Sequence, residues 1–238
     1  MEEQTNDKIT DLILQGVLDA ITRMVLVNAI YFKGDWASQF KEDHTQEQEF
    51  YVTAEEKVKA KMMFQRGKFR LAEDADTQAL EMLYKGNKLS MLVLLPKQND
   101  GINKLEETLT AEKLSSLVTT LRKTTVEVTF PKFEVETEYN LIPPFKNLGM
   151  KDAFADAADF SGIDGTRNLY ISAILHKAFA EVDEKGTEAA AATAVVTTLF
   201  SAPSYPMFNA DHPFLFLIRD NATGSILFMG RMVNPNDK

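Results

Sequence analysis

Residue types that perform acid, base or nucleophilic chemistry are few in this chain and poorly spaced for it. His44, His176 and His212 are the only side chains with an ordinary titration near neutral pH, and there is no cysteine to act as a thiolate or soft metal ligand. His44 lies in a polar run, KEDHTQEQE, and His212 precedes Pro213; none of the three has the spacing of a metal site or a nucleophile turn. The paired carboxylates Glu55-Glu56 and Glu106-Glu107 are adjacent in sequence, and adjacent side chains in a strand or helix point in different directions, so neither pair makes an acid/base dyad. The sequence predicts no catalytic residue, no metal and no cofactor.

The unusual chemistry lies in the backbone of one segment, Glu184 to Ser201, EKGTEAAAATAVVTTLFS. Ala189, Ala190, Ala191 and Ala192 carry almost no bulk, while Thr193, Val195, Val196, Thr197 and Thr198 favour extended backbone. Alternation at period 2 sends Thr187, Ala189, Ala191, Thr193, Val195 and Thr197 to one face, all small and all uncharged, with Glu188 on the other. Four alanines also suit a helix or a linker. The segment nonetheless reads as a strand that is not yet in a sheet, able to slide between other strands.

The surrounding sequence favours the strand. DEKGTEAAAATA, followed by FNADHPFLFLIRDNATGSILFMGRMVNP, closely resembles the hinge and carboxyl-terminal signature of the serpins. LVNAIYFKGDW, Leu26 to Trp36, resembles that family's central-sheet strand and the turn after it, and Ile174 to Glu188 resembles the strand feeding the reactive loop. The likeness runs from about Asn6 to Pro235.

That resemblance implies an α+β, multi-sheet serpin fold: a large, mostly antiparallel central sheet, smaller sheets and surface helices, with an exposed reactive loop at about residues 184–207. It implies a serine-type endopeptidase inhibitor rather than an enzyme. A protease would attack the loop, form an acyl-enzyme and be carried off as the freed segment inserts into the central sheet. The hinge is then Glu184, Gly186, Thr187, Glu188 and Ala189 to Ala192, without the charged, bulky or proline residues typical of non-inhibitory relatives. Fourteen residues from Thr187 through Phe200, and nine from Phe200 through Phe208, place the attacked bond at Phe200-Ser201, with Leu199 as the alternative attacked residue. An aromatic before the bond suits a chymotrypsin-like or cathepsin G-like partner; a trypsin-like one needs Lys or Arg, and none occurs from Thr187 to Met207. By the same resemblance, Asn28 and His176 meet beneath the centre of the main sheet, satisfy each other and govern its opening, and Trp36 underlies the point where the loop first enters. The competing readings are a non-inhibitory serpin acting as chaperone, carrier or ligand, and an inactive truncated form.

Composition limits partners and compartment. The 238 residues are 45% hydrophobic and 26% charged, an ordinary globular balance, and 26 basic against 35 acidic side chains give a net charge of −9 with no basic patch for nucleic acid. No apolar run approaches the roughly 18 residues of a membrane span. An extracellular location is favoured and a cytoplasmic one left open; Asn221-Ala222-Thr223 is the one glycosylation triplet.

Residues 1–238 read as a single serpin domain that begins inside an element. Lys8 to Ala20 looks like the tail of a helix, and MVLVNAIYF, Met24 to Phe32, reads as a strand buried on both faces. The family's amino-terminal helices and further strands that would cover it are absent before Met1, so the expectation is an incomplete domain prone to self-association. Elsewhere, two charged segments within Phe50 to Leu71 read as exposed strands, and Gln78 to Pro96 as a hairpin turning at Gly86-Asn87. Ala111 to Leu121 reads as a helix capped by Thr110, Val126 to Glu136 as a strand bent at Pro131, and the stretch from Leu141 as a short helix stopped by Gly149.

Overall fold

The computed structural model describes residues 8, 9, 13, 16, 18–185 and 204–237. Most of this sequence alternates at period 2, and the strands in chain order are β1 (Met24–Phe32), β2 (Gln46–Tyr51), β3 (Lys57–Glu73), β4 (Thr77–Leu83), β5 (Leu89–Pro96), β6 (Arg122–Pro131), β7 (Phe133–Asn140), β8 (Ile171–Val182), β9 (Met207–Asn209), β10 (Phe214–Asp220) and β11 (Ile226–Met232). The α-helices are short: α1 (Ile102–Thr108), α2 (Ala111–Thr120), α3 (Ile142–Asn147) and α4 (Ser161–Asp164). The chain divides into two compact units, one containing β1, most of β7 and nearly all of β8, the other residues 33–133 and 182–237.

The second unit is built on an eight-stranded sheet in the order β11-β10-β5-β4-β3-β6-β9, with β2 added to β3. β5, LSMLVLLP, and β10, FLFLIRD, are apolar on both faces because both faces are covered, so nearly all of β5 and the first five residues of β10 are buried. Towards the helices point Ala79, Leu92, Leu94, Leu215 and Leu217, which receive Ile102 and Leu105 of α1 and Leu117 of α2. Ala72 and Ala79 are register partners in this cluster, and their small side chains leave space for the helices. Phe130, Phe133, Phe214 and Phe216 form a second cluster, with ring centroids 5.3 to 6.1 Å apart.

Local sequence signals set the boundaries here. Thr110 accepts a hydrogen bond from Lys113 N at 3.2 Å and caps α2. The β4–β5 hairpin closes through the four residues between Tyr84 and Leu89, with Asn87 N donating to Tyr84 O at 2.9 Å and with Gly86 (φ 82°) and Asn87 (φ 57°) in left-handed backbone. The two charged segments expected as exposed strands are differently arranged. β2 is exposed over its first four residues, but β3 runs for 17 residues and buries Met62 on one face and Met63 and Phe69 on the other. The charged residues of β3 alternate with apolar ones, and β2, β4 and β6 pair with it in turn.

In the first unit the sheet order is β1-β8-β7, and β1 pairs with β8 in parallel from Met24↔Ile171 to Phe32↔Ala180. This sheet, which holds the strand expected at the centre of the large sheet, is the smaller of the two among the described residues. β1 lacks the double cover that its apolar sequence calls for, as expected of a strand whose covering elements the sequence does not contain. Among the described residues it lies at a sheet edge with a single partner strand, and every one of its residues is half-buried or exposed. Of Lys8 to Ala20, expected as a helix tail, residues 10–12, 14, 15 and 17 lie outside the described residues. α3 begins after Leu141 with Pro143 and Pro144 in its first turn, where missing N–H groups cost nothing, and ends at Gly149 (φ 99°), with Met150 N bonded back to Phe145 O at 3.0 Å.

One glycine is fixed by packing. Gly230 of β11 is the register partner of Phe216 in β10, and a Cβ there would fall inside the Phe216 ring's van der Waals envelope. Gly230→Ala therefore overpacks the sheet, and denaturant unfolding should record a loss of about 1–3 kcal/mol.

Candidate functional site

The described chain stops at Lys185 and resumes at Ser204, so the structure describes the two anchors of the segment singled out by sequence. Gly186, Thr187, Glu188, Ala189, Ala190, Ala191, Ala192, Leu199, Phe200 and Ser201 lie outside the described residues. Glu184 lies inside them, and it is not an exposed loop residue. It is 5% exposed, with Oε1 accepting from Thr45 Oγ1 at 2.7 Å and Oε2 2.6 Å from Lys132 Nζ. Burial pushes its carboxyl pKa up, but the hydrogen bonds from Lys132 and Thr45 outweigh that and hold it below its ordinary value.

The backbone around Glu184 is held as firmly. Asp183 O accepts from Trp36 Nε1 at 2.9 Å, Glu184 O from Phe40 N at 3.2 Å, and Lys185 O from Gln39 Nε2 at 2.7 Å. Lys33 lies 3.3 Å from Asp183, and Lys185 lies 3.4 Å from Glu42. Residues 33–45 thus form a rail along which three consecutive carbonyls are fixed immediately before Gly186. Trp36 is buried and stacks on Tyr84 with ring centroids 4.6 Å apart, and Ala37 N bonds to Leu83 O at 2.8 Å, which ties the rail to the end of β4. Burial raises the Tyr84 hydroxyl pKa far above its usual range, so the phenol stays neutral.

The far anchor is β9. Phe208 is fully buried, Met207 to Asn209 pair in parallel with Glu127 to Thr129 of β6, and Glu127 N donates to Pro206 O at 3.0 Å. Arg66 places its guanidinium 5.1 Å from the Tyr205 ring centroid while Nε and Nη2 bond Glu127 Oε1 at 2.9 and 2.6 Å. His212 is buried just beyond, its ring nitrogens 2.8 Å from Asp211 Oδ1 and 2.7 Å from Pro96 O.

Asn28 and His176 are register partners in the β1–β8 pair, as the resemblance implied, but they do not satisfy each other. Asn28 is exposed, His176 is half-buried, and His176 Nδ1 has no hydrogen-bond partner among the described residues. With β1 at a sheet edge, the asparagine faces water instead of the ring. His44 lies 4.0 Å from Asp43 with its side chain 48% exposed. Asn221 is exposed, yet its amide is engaged: Nδ2 donates to Asn87 O at 2.9 Å and Oδ1 accepts from Ser90 Oγ at 2.6 Å, bracing the β4–β5 turn. No group of residues with metal-ligand geometry occurs among the described residues, and no described helix is long and apolar enough to cross a membrane.

Sequence reasoning missed the rail entirely. Thr45 and Glu184 are 139 residues apart, Trp36 and Asp183 are 147 apart, and nothing local marks Lys132 as the partner of Glu184. Its one signal was Trp36, taken from the resemblance.

Comparison with known proteins decides the family. The family model described as "Serpin (serine protease inhibitor)" matches residues 1–235. The chain is a serpin. It is 48% identical to human Serpin B3 over 240 residues, covering 99% of this chain and 62% of that one, and 44% identical to human leukocyte elastase inhibitor, covering 98% and 64%. The crystal structure of uncleaved ovalbumin superposes with a TM-score of 0.88 at 38% identity, covering 98% of this chain and 60% of that one. The chain thus spans about 62% of the length of the first of these curated relatives. The fold is the α+β, multi-sheet serpin fold, and serpins are protease inhibitors rather than catalysts. The extracellular location favoured on sequence gains no support from these relatives, and a cytoplasmic one is equally compatible.

The Glu184 clamp in this serpin carries a direct prediction. Lys132→Met leaves a buried carboxylate without its cation and should cost about 1–3 kcal/mol at neutral pH. Because the folded-state pKa of Glu184 lies below its ordinary 4.5, the group's contribution is fully present above that value and is lost as pH falls through the lowered one. Urea unfolding should show parent and variant separated at pH 7 and converging well below pH 4.5.

Proposed function

We propose that the protein inhibits chymotrypsin-like serine proteases as a suicide substrate, through cleavage after Phe200 and insertion of the freed strand. The observation carrying this reading is the anchorage of both ends of the loop, at Asp183–Lys185 and at Tyr205–Phe208, around a segment of small, strand-forming residues. A protease serine Oγ attacks the Phe200 carbonyl, the bond to the Ser201 nitrogen breaks, Ser201 leaves as a new amino terminus, and Phe200 stays esterified to the protease. Cleavage frees the segment from its β9 anchor while the Glu184 clamp holds its other end.

Strand geometry supports the step. β1 and β8 are parallel, and the chain leaving β8 must reverse at 183–186, so a segment entering between them runs antiparallel to both. One parallel ladder is replaced by two antiparallel ones, which are slightly more stable per residue and more numerous. One relative is named leukocyte elastase inhibitor; in the present chain Phe200 favours a deep hydrophobic slot, with Leu199 as the neighbouring alternative.

Incubation with chymotrypsin should give a complex that survives boiling in detergent, with mass spectrometry placing the cut after Phe200. Turnover of the loop without any complex would overturn inhibition, and a cut elsewhere would overturn the assigned bond. Thr187→Arg should turn the inhibitor into a substrate without unfolding it. An unpaired guanidinium costs several kcal/mol once inserted and stays in water beforehand; an unchanged stoichiometry of inhibition would show that Thr187 is never buried.

A further inference from the structure

Between the bond assigned to cleavage and the start of β9, the chain is held through one side chain. Glu127 N donates to Pro206 O and Met207 begins the pairing with β6, so the backbone is fixed from Pro206 onward. Tyr205, five residues after Phe200, makes no backbone hydrogen bond among the described residues. Its half-buried ring instead faces the Arg66 guanidinium, with Cζ 5.1 Å from the ring centroid. Because a proline follows it, Tyr205 is also biased to extended backbone, which narrows its freedom before the contact forms.

The guanidinium is oriented independently of that ring. Arg66 of β3 and Glu127 of β6 are register partners, and Arg66 Nε and Nη2 both donate to Glu127 Oε1, at 2.9 and 2.6 Å. Two bonds to one carboxylate fix the guanidinium plane, and neither occupies its face. Glu127 is also the register partner of Met207, so one residue aligns both the cation and the first residue of β9. The tyrosine therefore meets a cation that is already ordered, and only its own side chain loses freedom in the contact.

We propose that Arg66 is a positioning residue: by clamping Tyr205 it limits where the attacked bond can travel and so raises the rate at which a protease engages it. The proposal rests on the reading of Phe200-Ser201 as that bond. Without the clamp the tether back to Phe200 starts at Met207, seven residues away; with it the tether starts at Tyr205, five residues away. These lengths reach at most about 24 Å and about 17 Å. The volume open to the bond scales as the cube of its reach, so the clamp concentrates the bond about threefold. Cleavage leaves Ser201 to Tyr205 with β9 while Phe200 departs with the inserting strand. The clamp thus acts on engagement and has no part in insertion.

The test measures the second-order rate and the stoichiometry of chymotrypsin inhibition by the full chain. Tyr205→Ala and Arg66→Met should each slow inhibition about threefold at unchanged stoichiometry, the factor set by the two tether lengths. The double variant should be no slower than either single one, because both remove the same contact. Tyr205→Phe keeps the ring and should keep the parent rate. Slowing by Tyr205→Ala without slowing by Arg66→Met would mean that the protease touches the ring itself, and would overturn the clamp. Additive slowing in the double variant, or a raised stoichiometry at an unchanged rate, would overturn it as well. If the parent is cleaved without forming a complex, the inhibition reading fails, and kcat/KM for the cut after Phe200 then tests the clamp by the same pattern across the variants.

Discussion

A carboxylate withdrawn from water must be paired or it neutralises, and Glu184 meets that condition at the point where β8 gives way to the loop. Two stretches distant in sequence, and a third that is its own, supply its environment. Thr45 and the rail before it come from residues 33–45. Lys132 comes from the residue after Pro131, where β6 ends and Lys132 N bonds to Lys61 O at 2.9 Å. The third stretch, 183–185, is the chain itself, fixed at three consecutive carbonyls.

The asymmetry between the two anchors gives the proposed mechanism its direction. At the carboxyl end, β9 is only three residues long and is held by one parallel pairing, the buried Phe208 and the Arg66–Tyr205 contact. Cleavage at Phe200-Ser201 separates this anchor from the segment before it and leaves the Glu184 end intact. The freed stretch from Thr187 then has one tether, and that tether continues directly from β8, the strand beside which it would insert. Its inward face carries no charge, so insertion needs no buried partner of the kind that Lys132 provides for Glu184.

What the sequence disclosed was local. Thr110 capping α2, the Gly86-Asn87 turn, the break at Pro131 and the Gly149 stop each depend on the backbone preferences of one or two residues, and each stands where expected. The family and fold were legible because long stretches, from LVNAIYFKGDW to FNADHPF, carry them intact. Illegible were the pairings between distant residues. Any of the chain's lysines could have met Glu184, and only the folded register shows Lys132 there or sets Lys123 opposite Arg70. The apolar run of β1 shows that the strand needs cover on both faces, and its half-buried residues show how much of that cover the described residues supply.

The central claim is that the β1–β8 seam opens to admit the loop. Ile30 and Ala178 face each other across it as register partners, and a parallel ladder holds such Cα atoms within the roughly 4.4–6.8 Å that a disulfide spans. With no native cysteine to interfere, Ile30→Cys/Ala178→Cys tests the seam by itself. Oxidised, the variant should be cleaved by chymotrypsin as an ordinary substrate, and reduction should restore the covalent complex; an oxidised variant that forms the complex as readily as the reduced one would contradict the account.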